Sequence, residues 1–327
     1  MKNFLYCFDF NYNIQGFCSI YSLLENTNEP INIHIIHKDP KLFINLKSKL
    51  ERHPKLNAIK VYKFNDYSYD FPNIANQHVS EATYYRLFIS NYIPRDIKYL
   101  FYIDADAFFI DKIDNELERV YSEFKNSKYS LAAHSTNGVL NDKSSEELSL
   151  KSRRYFNAGI LFIDYKKWIE EDYLTSLTMI LQNKELNFQS WDQDILNIFF
   201  DGNYFELNQN LNFNINKVES SAELNQKFNH EEITIIHYIG SPKPWNIKGL
   251  IYPGKEIFNR IFRELFDAKY FLSINNRKNA LITLKNIVLN KRNLYLSNYF
   301  DLLKEIVISL ILKKELNIKR KIKKLRN

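Results

Sequence analysis

Short apolar runs alternate with longer mixed segments through about residue 240, and this alternation constrains the fold more than any other feature of the chain. Buried strands separated by crossover helices produce such a pattern in α/β domains. The predicted strands are 4–8, 31–36, 58–63, 100–103, 130–133, 158–163 and 233–238. The predicted helices are 18–25, 42–51, 83–90, a segment from 166 to 171 and beyond, and 192–200. The sequence therefore predicts an α/β domain.

The pattern changes after about residue 252, where apolar residues recur only at helical spacing. Ile257, Ile261 and Leu265 are the first residues of this helical pattern. We therefore predict a first domain over 1–252 and a helical appendage over 253–327. Because 45% of the 327 residues are hydrophobic, the chain is apolar enough to form a large core.

The formal net charge of +7 lies entirely in the C-terminal tail. From residue 313 onward there are eight basic residues and one acidic residue, so the rest of the chain is neutral overall. A neutral body argues against a uniformly basic nucleic-acid binder, and the basic stretch lacks the aromatic residues that bases stack on. Ile318, Ile322 and Leu325 fall on one helical face among the basic residues, which is typical of a helix attracted to anionic lipid. The alternative is a solvated, frayed terminus.

The two cysteines, Cys7 and Cys18, are too few for a disulfide framework or a zinc site and fit a reducing compartment. The N-terminus carries no secretory signal. No segment reaches the roughly 18 uninterrupted apolar residues of a spanning helix. We therefore expect a soluble or peripheral protein rather than an integral one.

An intensely apolar strand ends in Asp104-Ala105-Asp106, the sharpest local signal in the sequence. In extended backbone, residues two apart point to the same face, so both carboxylates can converge on one cation. Carboxylate oxygens suit Mg²⁺ or Mn²⁺. The alternative is an ordinary loop at a strand end, but placing two ionised groups against a buried strand is costly without a neutralising cation.

A second polar segment, residues 237–245, also follows an apolar strand. His237 is a candidate third metal ligand that would favour Mn²⁺ over Mg²⁺, although a histidine at a strand end is often structural. Gly240 permits a close backbone approach to a phosphate, and Lys243 offers positive charge to a departing diphosphate.

Three further segments of the sequence contain candidate site residues, but their signals are weaker. Asp192 opens a predicted helix, where an acidic residue complements the helix dipole, but this leaves the adjacent Gln193 unexplained. Asn157 stands at the start of a strand and can hydrogen-bond a sugar hydroxyl. His78 and Arg86 can face a phosphate from a helix, with a surface salt bridge as the alternative for Arg86.

These motifs, in this order, resemble those of glycosyltransferase family 8 over roughly residues 3–250. The family comprises retaining α-glycosyltransferases, among them bacterial lipopolysaccharide galactosyl- and glucosyltransferases and, more distantly, glycogenin. The matching motifs are Asp9-Phe-Asn11-Tyr12, the helix from His78 to Arg86, the Asp-x-Asp triplet, Phe156-Asn157-Ala158-Gly159, Asp192-Gln193-Asp194-Ile-Leu-Asn197 and His237-x-x-Gly240-x-x-Lys243-Pro244-Trp245.

The resemblance implies a GT-A fold, a UDP-hexose donor and a saccharide acceptor, such as a growing lipopolysaccharide or lipooligosaccharide. The cysteine usage, the lack of a spanning segment and the basic tail together favour a cytoplasmic enzyme bound peripherally to the inner face of the cytoplasmic membrane. The implied metal is Mn²⁺, with Mg²⁺ as the second candidate, held by Asp104, Asp106 and His237. The implied donor-binding residues are Asp9, Asn11 and Tyr12 at the nucleotide, with Tyr12 stacked on uracil; Gly240 and Lys243 at the diphosphate; and Arg86, Asn157, Asp192 and Gln193 around the sugar. Asp104, Ala105 and Ala158 are further implied donor-binding residues.

Gln193, with Asp192 beside it, stands where the family places its candidate catalytic nucleophile. An amide is a weak nucleophile, so attack from the same face as the leaving group is as plausible as double displacement. The segment from His134 to Thr136 lacks the aspartate that touches the sugar in related galactosyltransferases, so the transferred hexose stays open between galactose and glucose. The rival functions are a glycogenin-like enzyme that glucosylates itself and a non-catalytic UDP-sugar binding module.

Overall fold

A computed structural model describes residues 2–72, 80–136, 148–246, 249 and 253–270, without the side chains of 42–46. The chain divides into two compact units. The first consists of Met1–Phe213 and Glu232–His237, and the second takes Asn214–Glu231 and the chain from Tyr238 onward. His78, the basic tail and the residues directly before the predicted boundary at 252 lie outside the described residues, so that boundary stays a prediction.

A seven-stranded sheet organises the first unit. Its strand order is β3-β2-β1-β4-β7-β6-β8, and β1 pairs in parallel with both β2 and β4. A smaller sheet has the order β5-β10-β9. The strands are β1 (Asn3–Cys7), β2 (Ile31–His37), β3 (Leu56–Lys63), β4 (Tyr99–Ile103), β5 (Ala107–Phe109), β6 (Leu131–Ser135), β7 (Phe156–Asp164), β8 (Phe205–Glu206), β9 (Phe213–Asn214) and β10 (Ile235–His237).

Each predicted strand is present, and the predicted α/β class is confirmed. The α-helices are α1 (Asn13–Glu25), α2 (Ile44–Leu50), α3 (Asp114–Phe124), α4 (Tyr165–Glu170), α5 (Tyr173–Leu181), α6 (Asp192–Phe200), α7 (Ser221–His230) and α8 (Lys255–Phe266). The helix predicted over 83–90 is instead a 3₁₀ helix, Glu81–Asn91, with a break in its helical geometry at Phe88.

The central strands are apolar throughout because both of their faces are covered. In β4, residues 100–103 are all fully or almost fully buried. Gly16 in α1 lies directly against the ring of Phe8, and a Cβ there would come within 3 Å of three ring atoms. Since β1 and β4 are parallel neighbours, the polar residues that follow them emerge at the same edge of the sheet.

The second unit contains α7 and α8 among its described residues. Ser220 caps α7 by accepting a hydrogen bond from the backbone N–H of Glu223. Gly254, with a φ of 88°, begins α8, and its carbonyl accepts a hydrogen bond from the Tyr238 hydroxyl. The helix predicted from Ile257 and Ile261 is therefore present. Across the described residues, every helix is too short or too polar to span a bilayer.

Two buried histidines in β2 predict how stability depends on pH. Burial lowers the pKa of His34 and of His37 to about 4, against an ordinary value near 6.5. As pH falls below about 6.5, the unfolded chain binds protons that these histidines exclude in the folded state, so stability falls until about pH 4. We expect each histidine to account for a loss of about 2 kcal/mol between pH 7.5 and pH 5.

Urea unfolding at the two pH values tests this expectation. The His34→Gln variant cannot take up the proton, so its loss of unfolding free energy over the same pH interval should be smaller by about 2 kcal/mol. Equal losses in the variant and the wild-type protein would contradict the assignment.

Candidate active site

Asp104 and Asp106 lie in a tight turn between β4 and β5. The backbone N–H of Ala107 donates to the carbonyl of Asp104 at 3.1 Å, which closes the turn around the buried Ala105. The extended backbone expected for these residues is therefore wrong. The two carboxylates converge because the chain reverses at Ala105, and not because the residues alternate along one strand.

His237 reaches the carboxylates through the pairing of two short strands. β10 runs antiparallel to β5, with His237 opposite Ala107, so the imidazole lies beside the turn. His237 Nε2 lies 3.1 Å from Asp106 Oδ1 and 3.8 Å from Asp104 Oδ2. Ligand atoms of the three residues all lie within 4.8 Å of one another. The three predicted metal ligands are thus brought together.

Gly159 makes room for this cluster. It lies in β7, and its carbonyl accepts a hydrogen bond from the backbone N–H of Asp104 at 2.8 Å. A Cβ at this position would lie 2.8 Å from Asp104 Oδ2, 2.9 Å from His237 Nδ1 and closer still to His237 Cε1. A side chain of any size would occupy the space into which the ligands converge.

The residues at this cluster fit a divalent cation. Two carboxylate oxygens and one imidazole nitrogen form a donor set that Mn²⁺ accepts and that Mg²⁺ accepts less readily because of the nitrogen. The Asp104 and Asp106 side chains keep 25% and 13% of their surface exposed, so a ligand can approach from solvent. Gly159 keeps the space between the donors free of protein atoms. The identity of the metal stays a prediction.

Arg86 joins the three candidate metal ligands to a third carboxylate, that of Asp192. Its Nη2 donates to Asp104 Oδ1 at 2.9 Å, and its Nε lies 2.8 Å from Asp192 Oδ2. The guanidinium also donates to the carbonyl of Ala158 and lies 4.2 Å from the ring centroid of Tyr102. Arg86 is buried, so a surface salt bridge, the alternative weighed from the sequence, is wrong. Although burial alone lowers the pKa of Arg86, the charges of Asp104 and Asp192 raise it overall.

Asp192 is held at the start of α6 by a strained turn. Trp191, the preceding residue, has a φ of 52° and a ψ of −125°, a conformation that residues other than glycine rarely adopt. The Thr83 hydroxyl donates to Asp192 Oδ1. Burial raises the pKa of Asp192 to about 6, against the opposing charge of Arg86. The Asp192 carboxylate therefore interacts with the charge of Arg86 as well as with the dipole of α6.

Gln193, the residue after Asp192, is in contact with Asn157. Asn157 Nδ2 donates to Gln193 Oε1 at 3.0 Å, and the backbone N–H of Ala158 donates to the same oxygen at 3.0 Å. Gln193 Nε2 donates to the hydroxyl of Tyr155 at 3.1 Å. Both ends of the Gln193 amide are therefore engaged by protein groups.

The predicted nucleotide segment adjoins the same cluster. Asp9 caps a 3₁₀ turn over Phe10–Tyr12, and its Oδ1 accepts from the backbone N–H of Asn11 at 2.9 Å. Burial, followed by the charges of Asp106, Asp104 and Asp9, raises the pKa of the Tyr12 hydroxyl.

Gly240 and Lys243 belong to the second unit. Gly240 has a φ of 83°, and open space surrounds its position, so the conformation and not crowding requires glycine. Lys243 is buried, and its ammonium group donates to the carbonyl of Tyr238. The expected diphosphate contacts of both residues stay predictions.

Three residues that build the site, Tyr155, Asn212 and Thr83, had no role predicted from the sequence. Tyr155 directly precedes the Phe156-Asn157-Ala158-Gly159 motif, and that position was the available signal. Asn212 and Thr83 carry no local signal, because their partners His237 and Asp192 are remote in sequence.

Comparison with known proteins identifies relatives that cover most of the chain. The family model described as glycosyl transferase family 8 matches residues 3–249. A Haemophilus influenzae protein named as a glycosyltransferase is 30% identical over 70% of this chain and 68% of its own length. A lipopolysaccharide 1,2-glucosyltransferase of Escherichia coli is 27% identical over 78% of this chain and 76% of its own length.

A solved structure shares the fold. The galactosyltransferase LgtC, crystallised with donor and acceptor sugar analogues, superposes with a TM-score of 0.64. The match covers 81% of this chain and 96% of that chain at 22% identity. The expected GT-A fold is thereby confirmed.

Proposed function

This chain belongs to glycosyl transferase family 8, and from that membership we propose that it transfers a hexose, glucose or galactose, from a UDP-sugar to a saccharide acceptor. The observation that carries the proposal is the cluster of Asp104, Asp106 and His237, with Arg86 linking it to Asp192. In this arrangement a buried arginine joins three candidate metal ligands to a further carboxylate. Such an arrangement suits a reaction in which a diphosphate departs from a sugar.

We assign Mn²⁺ to the cluster, with Mg²⁺ as the second candidate. When bound, the cation supplies Lewis-acid stabilisation of the negative charge that develops on the departing diphosphate. Asp9, Asn11 and Tyr12 hold the nucleotide, with the Tyr12 ring stacked on uracil. Lys243 exchanges its hydrogen bond to the Tyr238 carbonyl for a diphosphate oxygen, and Gly240 lets the backbone approach the same group.

The contacts around the sugar subsite favour same-face attack with retention of configuration. Arg86, Asn157 and Asp192 surround the donor sugar. Gln193 is a poor nucleophile because an amide oxygen is weakly basic, and this oxygen already accepts two hydrogen bonds. The acceptor hydroxyl therefore attacks from the side of the departing UDP, while Asp192, whose pKa burial raises to about 6, stabilises positive charge on the sugar ring.

The acceptor is a lipid-linked saccharide of the lipopolysaccharide or lipooligosaccharide type. This assignment rests on relatives that are named as lipopolysaccharide glucosyl- and galactosyltransferases, including a Salmonella typhimurium enzyme 28% identical over 54% of this chain and 52% of its own length. The rival is self-glucosylation of the glycogenin type, in which the protein itself gains hexose mass.

Release of UDP from a panel of UDP-sugars, with and without Mn²⁺ and with lactose as a simple acceptor, tests the proposal. We expect Mn²⁺-dependent release from UDP-glucose or UDP-galactose that the acceptor increases. Intact-protein mass spectrometry after the same incubation identifies self-glucosylation by a gain of hexose mass. If no donor releases UDP and UDP does not bind with Mn²⁺, the assignment of the site is wrong; UDP binding without release from any donor would favour the non-catalytic binding module.

We propose that the basic tail binds the enzyme to the inner face of the cytoplasmic membrane. In sequence, Ile318, Ile322 and Leu325 recur at helical spacing among eight basic residues, a pattern that is typical of helices attracted to anionic lipid. We expect deletion of 313–327 to reduce sedimentation with phosphatidylglycerol vesicles at least about tenfold, while activity on lactose is retained. Unchanged sedimentation with these vesicles would refute the anchor.

A further inference from the structure

A continuous chain of buried hydrogen bonds begins at the imidazole of His237. His237 Nδ1 lies 2.8 Å from Asn212 Oδ1. Asn212 Nδ2 in turn donates to Asn157 Oδ1 at 2.9 Å. All three residues are at most 9% exposed, so water does not compete for these contacts. The chain therefore connects a candidate metal ligand to a residue of the predicted sugar subsite.

The same chain continues beyond Asn157 to α6. Asn157 Nδ2 donates to Gln193 Oε1, and Gln193 Nε2 donates to the Tyr155 hydroxyl. That hydroxyl donates to Asp194, whose other oxygen accepts from the backbone N–H groups of residues 189 and 190. A carboxylate therefore terminates the chain as an acceptor.

Two backbone groups fix the direction of every hydrogen bond in the chain. The N–H of Ala158 donates to Gln193, and the N–H of Gly159 donates to Asn157 at 3.0 Å. A backbone N–H can only donate, so the side-chain atom facing it must be the amide oxygen. The orientations of both amides follow from this requirement and are not arbitrary choices between oxygen and nitrogen.

The orientation of Asn157 then determines that of Asn212. Because Asn157 presents its oxygen to Asn212, Asn212 must donate through Nδ2, which leaves its own oxygen facing His237. An amide oxygen can only accept, so His237 carries its proton on Nδ1. In the neutral imidazole Nε2 then carries the lone pair, which is directed at Asp106 and Asp104, where a cation would sit.

We infer that Asn212 is a positioning residue that fixes the tautomer of His237, with Nδ1 protonated and Nε2 presented to the metal. Without Asn212, a neutral His237 would place its proton on Nε2, where Asp106 Oδ1 lies 3.1 Å away as an acceptor. That proton would occupy the position of the metal bond. The inference rests on the proposed function in one respect, that His237 ligates the metal.

The first test needs no metal and reads the tautomer directly. In ¹⁵N-histidine NMR spectra of the free protein, with His237 assigned from the His237→Ala variant, wild-type His237 should be protonated at Nδ1. In Asn212→Ala the neutral ring should be protonated at Nε2. The control is Asn210→Ala, an equally buried asparagine two positions away whose replacement should leave the His237 signals unchanged. The same tautomer in the wild-type protein and in Asn212→Ala would overturn the inference.

The second test measures Mn²⁺ affinity by electron paramagnetic resonance. Asn212→Ala should weaken binding about 10- to 100-fold, the usual loss when the partner of a metal-ligating histidine is removed. Asn212→Asp keeps an acceptor for Nδ1–H and should bind at least about tenfold more tightly than Asn212→Ala. If both variants weaken Mn²⁺ binding equally, packing at this position and not the hydrogen-bond acceptor determines the affinity. That result would overturn the inference. If the wild-type protein binds no Mn²⁺, the proposed metal role fails, and the NMR result still decides the inference.

Discussion

We expect Asp104→Asn to lower turnover about 10³-fold or more, equivalent to a loss of about 4 kcal/mol of transition-state stabilisation. Asp104 has two roles, since its Oδ2 faces His237 across the metal cluster and its Oδ1 accepts hydrogen bonds from Arg86 and Tyr102. Asparagine keeps the size and one acceptor oxygen but removes the charge. The cluster then holds a cation with one carboxylate in place of two.

The measurement is UDP release at saturating donor, together with Mn²⁺ affinity. Asp111→Asn is the matched control, because Asp111 is an exposed aspartate a few residues beyond the metal turn. Asp106→Asn should lose metal affinity as severely while leaving Arg86 with both of its carboxylate partners. A fully active Asp104→Asn enzyme would rule out the metal site.

Gly159→Ala should lower turnover and Mn²⁺ affinity about 100-fold, although it adds a single methyl group. That methyl would lie 2.8 Å from Asp104 Oδ2 and nearer still to the His237 ring. Gly159 belongs to β7, and its carbonyl accepts a hydrogen bond from the backbone N–H of Asp104, so a shift of the strand at this position would itself displace a ligand. If Asp104 and His237 are displaced, they cannot coordinate the same cation.

A double-mutant comparison separates this clash from a general loss of stability. In the His237→Ala background, most of the contacts of the added methyl are gone, so Gly159→Ala should cost much less activity and affinity than it does in the wild-type protein. Thermal unfolding of all four proteins monitors folding. Equal costs in the two backgrounds would contradict a clash with the imidazole.

The parts of the fold that the sequence predicted correctly are those with long apolar runs. β4 and β7 are buried on both faces, so nearly every residue in them is apolar and the signal is strong. β5 was missed because its three residues read as a continuation of the apolar run around the Asp-x-Asp triplet. The amphipathic spacing of Leu117, Val120 and Phe124 in α3 was present in the sequence but was overlooked.

The electrostatic environment of the site was not predictable from local pattern. Arg86 reads as an ordinary helical arginine, yet it is buried between two carboxylates, of which Asp192 lies more than a hundred residues away in the chain. Removing one partner of such a buried ion pair typically costs about 3–5 kcal/mol, because the remaining charge is left uncompensated. The pairing depends on how the 3₁₀ helix packs beside α6, and no single segment of sequence encodes that packing.

The α/β class, the family and the positions of polar residues at the ends of strands can be read from the sequence, because apolar periodicity and strand-end chemistry are local properties. How those residues meet depends on the folded chain. The pairing of β10 with β5 carries His237 to within 3.1 Å of Asp106 across 131 positions of sequence. The backbone N–H groups of Ala158 and Gly159 then orient the amides that lead to Asn212. Hydrogen-bond direction depends on which atoms face each other in space, so only the folded chain specifies it.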